Sequence, residues 1–248
     1  MGDASDWSVA HESDRGGVGS TEQCGGDRSE GVIAMFVEYP KIETIYERDM
    51  EGTRKLIDGK FRDPLVEYLA PLPWICTEKV DGTNTGIVWD GHEVRFQGRT
   101  EKTNHPKALL EYLNATFKTN EAEELFEQMF GEKKFILYGE GYGAKIQKVG
   151  NLYREDNSFI LFDVYAVDSD IWLRRKDIEE IAKAFGIDCV PIYAECNLYT
   201  AVELVKEKRQ SRLNANAPLE GFVCKPLIEV RDRQGKRVMV KVKARDFE

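Results

Sequence analysis

The chain has few residues that bind zinc or form disulfides, and it has no long apolar run. Its 248 residues include five cysteines and three histidines, and no two cysteines form a C-x-x-C pair. Scattered thiols argue against a zinc site or a disulfide framework and fit a reducing compartment. No apolar stretch approaches the ~20 residues that cross a bilayer. We therefore expect a soluble cytoplasmic protein with no membrane association.

Charge is distributed unevenly along the chain. The formal net charge is −9, which by itself argues against a nucleic-acid partner. Residues 225–245, however, contain eight Lys or Arg and only two acidic residues. Such a basic segment can bind phosphate groups, although a solvated charged hairpin would have the same composition.

The first 34 residues differ in composition from the rest. They are rich in Gly, Ser and Asp and show almost no apolar periodicity. A segment of this kind cannot bury enough apolar surface to offset the entropy of ordering, so we expect residues 1–34 to be disordered. Residues 35–248 are predicted to form one folded domain.

Strand signals outnumber helix signals in that domain. The pattern predicts strands at 74–80, 86–89, 93–97, 134–140, 158–165 and 219–225, and a further hairpin from 228–231 and 238–242. It predicts helices within 106–130, at 174–185 and from Thr200 to about Arg212, and short helical or irregular pieces over 37–69. Because short turns join several strands, we predict an α+β fold with mainly antiparallel sheets flanked by helices.

One lysine stands between an apolar run and a glycine-bearing turn, in the segment Glu78-Lys79-Val80-Asp81-Gly82-Thr83-Asn84. A lysine in that position is partly desolvated, which favours its neutral amine and makes it a nucleophile. A K-x-D-G match alone is weak, because short patterns recur by chance and a surface lysine after a strand would fit equally well. The match gains weight from the segments that follow it.

Three later residues suit the recognition of a nucleoside triphosphate. Arg99 follows a predicted hairpin and could bind a phosphate or a ribose through its planar donors. Glu140, where an apolar strand runs into a glycine-rich turn, could accept a ribose hydroxyl. Phe162 lies on a predicted buried strand and could stack on a purine. The alternatives are an exposed arginine, an acid at a sheet edge and an ordinary core phenylalanine.

Charged residues near the end of the chain complete the set that nucleotidyl transfer needs. Glu220 and Lys225 lie at the two ends of one predicted strand, where they suit a hydrated Mg²⁺ and a phosphate group. Lys241 and Lys243 share one face of another strand. Two cations there would bind phosphate and favour a neutral Lys79 through like-charge repulsion. A strand with charged ends and an edge strand guarded by lysines are the alternatives.

Taken in order, these segments resemble the covalent lysine nucleotidyltransferase superfamily, which contains ATP-dependent DNA ligases, RNA ligases and mRNA capping enzymes. The matching segments are Lys79-Val-Asp-Gly82, Gly98-Arg-Thr100, Tyr138-Gly-Glu140, Leu161-Phe-Asp-Val164, Glu220-Gly-Phe-Val-Cys-Lys225 and Lys241-Val-Lys243. The chain is most similar to the phage RNA ligase 2 type in Thr83-Asn84 and in its opening segment, residues 35–43. The resemblance implies the nucleotidyltransferase (adenylation) fold of ligases and capping enzymes over residues 35–248.

The resemblance also implies an RNA ligase that uses ATP and Mg²⁺, for which Mn²⁺ can substitute. Lys79 would become lysyl-AMP, and the AMP would pass to a 5′-phosphate end before a 3′-hydroxyl displaces it and seals nicked duplex RNA or RNA ends. In this scheme Lys79, Lys241 and Lys243 are catalytic, and Glu220 holds the metal. The nucleotide-binding set is Glu78 (near the adenine), Asn84, Arg99, Glu140, Phe162, Glu220, Lys225, Lys241 and Lys243.

Two features depart from the family pattern. Many members have histidine where this chain has Asp81, which leaves the choice between RNA and DNA strands open. The chain also stops five residues after Lys243, where relatives have a further domain. We therefore expect weak, salt-sensitive binding to nucleic acid, or a partner protein that binds the nucleic acid. The alternatives are a minimal DNA ligase, a capping guanylyltransferase and a non-catalytic module that binds nucleotides or RNA ends.

Overall fold

The computed structural model of the protein describes residues 36–248. The expected disorder of residues 1–34, and the expected start of the folded domain at residue 35, lie outside this range and stay predictions. Within it, no helix is both long enough and apolar enough to span a lipid bilayer.

Thirteen strands and six α-helices form the regular structure of the described residues. The strands are β1 (Glu43–Thr44), β2 (Tyr46–Arg48), β3 (Leu56–Phe61), β4 (Trp74–Glu78), β5 (Thr83–Trp89), β6 (Val94–Gly98), β7 (Phe135–Gly143), β8 (Asn157–Ala166), β9 (Ile171–Trp172), β10 (Asp188–Cys189), β11 (Ile192–Cys196), β12 (Gly221–Pro226) and β13 (Val240–Lys243). The helices are α1 (Pro64–Leu69), α2 (Lys107–Phe117), α3 (Asn120–Phe130), α4 (Gly150–Tyr153), α5 (Arg175–Ala184) and α6 (Leu198–Lys206).

The first large sheet has five strands in the order β1-β13-β12-β4-β11. Its pairs are antiparallel except for β1 with β13. The registers place Thr77, Val223 and Lys241 abreast across β4, β12 and β13. Side chains alternate between the two faces, so Trp74 and Phe222 project the opposite way and pack with α6 in the first core.

The second large sheet has the order β10-β8-β7-β5-β6, and β9 also pairs with β8. Its pairs are antiparallel except for β10 with β8. Helices α2, α3 and α5 pack on one face. The spacing of Leu109, Leu113 and Phe117 explains this packing, because residues four apart form a single apolar stripe on a helix.

The opening segment, residues 37–42, lies against the other face of the second sheet. The carbonyl of Val37 accepts hydrogen bonds from Gln97 Nε2 and Tyr138 Oη, each at 2.6 Å. These bonds fix the segment in place and bring Tyr39 into the aromatic cluster on that face.

The predicted fold class is confirmed, because two mainly antiparallel sheets are each packed with helices. The predicted strands of both sheets are also present, as are helices within 106–130, which a break before Asn120 divides into α2 and α3. Thr119 causes that break, since its side chain accepts a hydrogen bond from Ala122 N and begins a new helix.

The prediction for residues 37–69 was wrong in part. Residues 37–42 are irregular and α1 is a short helix, as predicted, but eleven residues between them form the short strands β1 to β3, and β2 pairs with β3 as a separate two-stranded ribbon. Four of the six β3 residues are exposed, and its apolar residues (Leu56, Ile57 and Phe61) do not alternate with polar ones, so the pattern that signals a strand is missing from it.

The predictions for two later elements, the helix α6 and the hairpin after β12, were also wrong in their bounds or pairing. Asn197, and not Thr200, caps α6 by accepting from Thr200 N, and the helix ends at Lys206. Lys208 has a φ of 52°, a left-handed conformation that a helix cannot continue through. The expected second hairpin is reduced to one bridge between Arg231 and Arg237, because β13 pairs mainly with β12.

Candidate active site

A cleft of about 620 Å³ opens between the two large sheets. Nine of the ten site residues predicted from the sequence line it, namely Glu78, Lys79, Asn84, Arg99, Glu140, Phe162, Lys225, Lys241 and Lys243. The tenth, Glu220, reaches the same place through its ion pairs with Lys79 and Lys243. The structure therefore gathers residues that are up to 165 positions apart in the chain around one cavity.

Lys79 is held at one end of the cleft. It follows the last residue of β4, and its backbone N–H donates to Gly221 O at 2.9 Å. Its amine donates to Glu220 Oε2 at 2.7 Å, and its side chain is 24% exposed. The candidate nucleophile is thus anchored and still open to the cleft.

Glu220 also pairs with a second lysine. Lys243 Nζ lies 3.2 Å from Glu220 Oε1, so one carboxylate bridges two ammonium groups. Lys241 lies two residues earlier on the same side of β13. Burial lowers the pKa of Lys241, and repulsion from Lys243 lowers it further. We call Lys79, Lys241, Lys243 and Glu220 the lysine cluster.

Two more carboxylates stand close to the lysine cluster. Burial raises the pKa of Asp81, and the negative charge of Glu220 raises it further. Burial likewise raises the pKa of Glu140 to about 8, with smaller contributions from Glu220 and Asp81. These mutual effects show that the acidic groups share one electrostatic environment.

Strands β5 and β7, which lie in close contact, form the wall of the cleft beside the lysine cluster. Asn84 on β5 lies directly opposite Glu140 on β7 in the ladder, so both side chains reach the cleft. A Cβ on Gly82 would overlap Gly141 O, which explains why the lysine motif needs glycine at this position. Arg99 follows β6 and is an exposed residue at the rim.

Aromatic rings line the other end of the cleft. The ladder between β7 and β8 shifts between Tyr138 and Gly139, which leaves Phe162 as an extra residue on β8. This bulge lets Phe162 and the next residue, Asp163, both line the cleft. Phe162 is half-buried and packs edge-on against Tyr39, with ring centroids 5.0 Å apart. We call Tyr39, Phe162 and Trp172 the aromatic end.

A buried ionic network supports the aromatic end. Asp163 is 0% exposed, and it accepts hydrogen bonds from Lys225 at 2.7 Å, Arg237 at 2.7 Å and Tyr39 at 2.9 Å. Arg237 also lies over the Trp172 ring, 4.5 Å from its centroid. Burial alone would raise the pKa of Asp163, but the charges of Lys225 and Arg237 outweigh it and hold the pKa below its usual value.

Lys225 is therefore not part of the lysine cluster. On β12 it lies two residues beyond Val223, which pairs with Lys241, and its amine is bound to Asp163 and not to Glu220. The sequence placed it with the phosphate-binding lysines because of its charge. In the fold, Asp163 holds its amine beside the aromatic end.

Glu78 is the most buried of the predicted site residues. Its two carboxylate oxygens accept hydrogen bonds from Ser211 Oγ and from Arg212 N, the latter at 2.8 Å. Burial raises the pKa of Glu78, and these hydrogen bonds oppose the shift. The contacts that the structure gives this carboxylate fasten the loop before β12 to the end of β4.

Sequence reasoning missed Tyr39, Asp163, Trp172, Arg237 and Ser211 as parts of this site. One of them had a usable signal, because Asp163 is the one charged residue in an otherwise apolar strand. A buried carboxylate of that kind requires a cationic partner. Nothing in the local sequence identified Arg237, 74 residues later, as that partner.

The donor set around Glu220 suits a cation such as Mg²⁺. Within residues 36–248, no three His, Cys, Asp or Glu side chains form a ready-made metal cage. Mg²⁺ usually binds through one or two carboxylates together with waters and substrate phosphates. Glu220, with Asp81 nearby, therefore fits a metal that arrives with a nucleotide.

A cleft between two mainly antiparallel sheets, with an anchored lysine at one end, is the nucleotidyltransferase fold of RNA ligases. A sequence model of the family described as RNA ligase matches residues 72–243 of this chain. The chain belongs to that family. No curated protein matches it closely enough to count as a relative.

Solved structures of Naegleria gruberi RNA ligase share the fold. A lysine-to-methionine variant with AMP and Mn gives a TM-score of 0.57 at 22% identity, covering 74% of this chain and 53% of that chain. A lysine-to-alanine variant with ATP and Mn gives 0.57 at 23% identity, covering 74% and 52%. An aspartate-to-alanine apo variant gives 0.60 at 20% identity, covering 85% and 56%. The chain spans slightly more than half the length of these neighbours.

Proposed function

We propose that this protein is an ATP-dependent RNA ligase that forms a covalent lysyl-AMP intermediate on Lys79. The observation that supports this best is the position of the Lys79 amine, 2.7 Å from Glu220 in a cleft with lysines at one end and aromatic rings at the other. A nucleotide has the same polarity, with phosphates at one end and a flat base at the other. The Naegleria neighbours hold ATP or AMP with Mn.

In the first step, the neutral amine of Lys79 attacks the α-phosphorus of ATP. A P–N bond forms, the bond to the β-phosphate oxygen breaks, and pyrophosphate leaves. Lys79 must first give up a proton and leave Glu220, to which it donates in the free protein. Lys241 and Lys243 stabilise the charge that develops on the phosphate oxygens.

The nucleoside lies between the lysine cluster and the aromatic end, along the wall that Asn84 and Glu140 form. Phe162 stacks on the adenine, and Glu140 accepts hydrogen bonds from the ribose hydroxyls. Asn84, opposite Glu140 in the ladder, and Arg99 at the rim contact the sugar and the phosphates. Glu78 keeps the wall of this pocket in place, because its carboxylate binds Ser211 and the backbone N–H of Arg212. Lys225 lies within reach of the base and is held there by Asp163.

Glu220 is the residue that would hold a divalent cation, with Asp81 as the nearest additional donor. Mg²⁺ or Mn²⁺, when bound, neutralises phosphate charge and helps pyrophosphate to leave. Any ligand that competes for Glu220 also frees Lys79, because the same carboxylate holds that amine.

Two further steps complete ligation. An oxygen of an RNA 5′-phosphate attacks the phosphorus of lysyl-AMP, which breaks the P–N bond and regenerates Lys79. The 3′-hydroxyl of the adjoining end then attacks the 5′-phosphorus, loses its proton and displaces AMP. The exposed side chain of Arg99 is suited to hold the phosphate of the RNA end during these steps.

The first step can be tested by covalent labelling. The protein is mixed with Mg²⁺ and α-labelled ATP or GTP and run on a denaturing gel. We expect label from ATP, no label in Lys79→Ala, and unchanged label in the matched surface variant Lys176→Ala. Label from GTP alone would favour a capping enzyme, and ATP binding without label would favour a binding module; either result would overturn the proposal.

The strand type needs a second experiment. Labelled protein is given nicked duplexes of RNA, DNA and the two hybrids, and sealing is measured on each. We expect RNA to be sealed fastest. Preferential sealing of nicked DNA would replace the RNA ligase with a minimal DNA ligase.

A further inference from the structure

The segment between β12 and β13 forms a short turn rich in cations, which we call the basic hairpin (residues 228–237). Asp232 organises its turn, because Asp232 N donates to Lys236 O at 2.8 Å and Asp232 Oδ1 accepts from Gln234 N at 2.8 Å and from Lys236 N at 2.9 Å. Gly235 has a φ of 79°, which glycine adopts without strain. The turn therefore has a fixed shape.

The base of the hairpin is anchored in the cleft wall. Arg237 pairs with buried Asp163 and with Glu229, at 2.7 Å and 3.2 Å, and stacks over Trp172. Val238 N donates to Val230 O at 2.8 Å, which joins the two arms. Anchoring of this kind keeps the tip from reorienting freely in solvent.

The tip presents cations to solvent. Arg231, Arg233 and Lys236 are all exposed. Arg231 is paired with Glu229, whose other oxygen is taken by Arg237, whereas Arg233 and Lys236 form no ion pair with any residue of the described part. Residues 231–236 thus contain three cations and one acid, Asp232.

The basic hairpin lies next to the cleft. It continues β12 beyond Lys225 and returns through β13 to Lys241, and Glu229 and Arg237 line the cleft itself. The tip therefore lies beyond the aromatic end, on the side away from the lysine cluster. A duplex held with its nick at the lysine cluster would present further backbone phosphates beyond the aromatic end.

We propose that the tip of the basic hairpin is a docking surface for the phosphate backbone of duplex RNA, away from the nick. The proposal rests on the proposed ligase function. Backbone contacts of this type set the register of a protein on a duplex and supply salt-dependent affinity without reading sequence. The hairpin would thus hold the substrate while the lysine cluster performs the chemistry.

The test compares two triple variants of equal charge change. The first is Arg231→Gln/Arg233→Gln/Lys236→Gln, and the control is Lys133→Gln/Lys176→Gln/Lys183→Gln, on the helical side of the second sheet. Each is titrated with nicked duplex RNA over a range of salt concentrations, and ATP labelling of each is measured in parallel. We expect the hairpin variant to bind at least ~10-fold more weakly at low salt, with a slope of log K against log salt lower by about 2 to 3. The control keeps the wild-type slope, and both variants label normally with ATP.

The outcomes separate this proposal from the proposed function. If the wild-type protein does not label with ATP, the ligase assignment fails. If labelling is normal and the hairpin variant binds RNA with the wild-type slope, or the control loses as much affinity as the hairpin variant, the docking surface is refuted. A slope unchanged in the hairpin variant would favour a protein partner instead, for which Ile228, 79% exposed at the base of the hairpin, is the obvious contact.

Discussion

The two ends of the cleft hold their charges in different ways. In the lysine cluster, the side chains of Lys79, Lys243 and Glu220 are 24%, 13% and 17% exposed. At the aromatic end, Asp163 and Arg237 are 0% and 8% exposed, and each is paired more than once. Both ends contain ion pairs, and Lys225 at the aromatic end is 26% exposed, but the shared carboxylate can be reached by water and by a ligand only in the lysine cluster.

The difference indicates which charges react and which support. Partly exposed pairs contribute little to stability, so a phosphate or a metal ion can replace one partner at small cost. Buried pairs stabilise only as complete sets, because removing one partner leaves an uncompensated charge in the interior. We infer that the lysine cluster is built for exchange and that the network around Asp163 is built to keep the cleft in shape.

The largest expected effect comes from breaking the buried network. Asp163→Asn leaves Lys225 and Arg237 without a counter-charge, and we expect the free energy of unfolding to fall by about 3–5 kcal/mol. Urea unfolding measures this loss. The control is Glu179→Gln, which removes a surface pair with Arg175 at 2.6 Å and should cost less than about 0.5 kcal/mol. If both variants lost the same free energy of unfolding, the ion pairs around Asp163 would stabilise the fold no more than a surface pair does.

Breaking the partly exposed ion pairs of the lysine cluster should slow lysyl-AMP formation more than it lowers stability. We expect Glu220→Gln to slow lysyl-AMP formation by about 10²-fold, the size of effect seen when one electrostatic contact to a reacting phosphate is lost. Its free energy of unfolding should change by less than about 1 kcal/mol. Single-turnover labelling and urea unfolding measure the two quantities. A stability loss as large as that of Asp163→Asn would count against an exchangeable cluster.

The aromatic end can be tested with two phenylalanines on opposite faces of β8. Phe162→Leu removes a stacking surface, and we expect ATP to bind about 10-fold more weakly. Phe159→Leu, in the buried core on the helix side, should leave ATP affinity unchanged and lower stability by about 1 kcal/mol or more. Calorimetric titration and urea unfolding distinguish the two, and an ATP affinity that falls only in Phe159→Leu would contradict the assignment.

The last prediction is a pH dependence of stability. The pKa of Glu140 is about 8 in the folded protein, above its ordinary value of 4.5, so between these values the folded state binds more protons than the unfolded state. Stability contributed by this group is therefore present at low pH and is lost as the pH rises toward 8. Glu140→Gln should flatten urea midpoints over this range. Part of the slope should remain, because burial also raises the pKa of Asp81 and Glu78.

The elements that matter for the site were largely predictable, because their signals are local. The strand before Lys79, the hairpin of β5 and β6 and the apolar strand β8 all have patterns of period two or continuous apolar runs. The ribbon of β2 and β3 was missed because the apolar residues of β3 do not alternate with polar ones, although Tyr46, Leu56 and Phe61 pack in or against the first core.

The candidate site was predictable in content but not in arrangement. Ordered motifs identified nine residues that line the cleft, together with Glu220. They did not show that Lys225 would be drawn away from the other lysines, nor that a bulge would turn Phe162 and Asp163 to the same side. A bulge arises from the register between two strands, which neither strand encodes alone.

The sequence by itself determined the chemical inventory of this protein: one lysine in a desolvated motif, the acids and cations that nucleotidyl transfer needs, and a mainly antiparallel α+β chain to hold them. Only the tertiary structure decided which charges are bound to each other, and so which are free to react. The reason is that the decisive pairs join residues far apart in the chain, such as Lys79 with Glu220 and Asp163 with Arg237. Their strength depends on burial, which is a property of the assembled sheets.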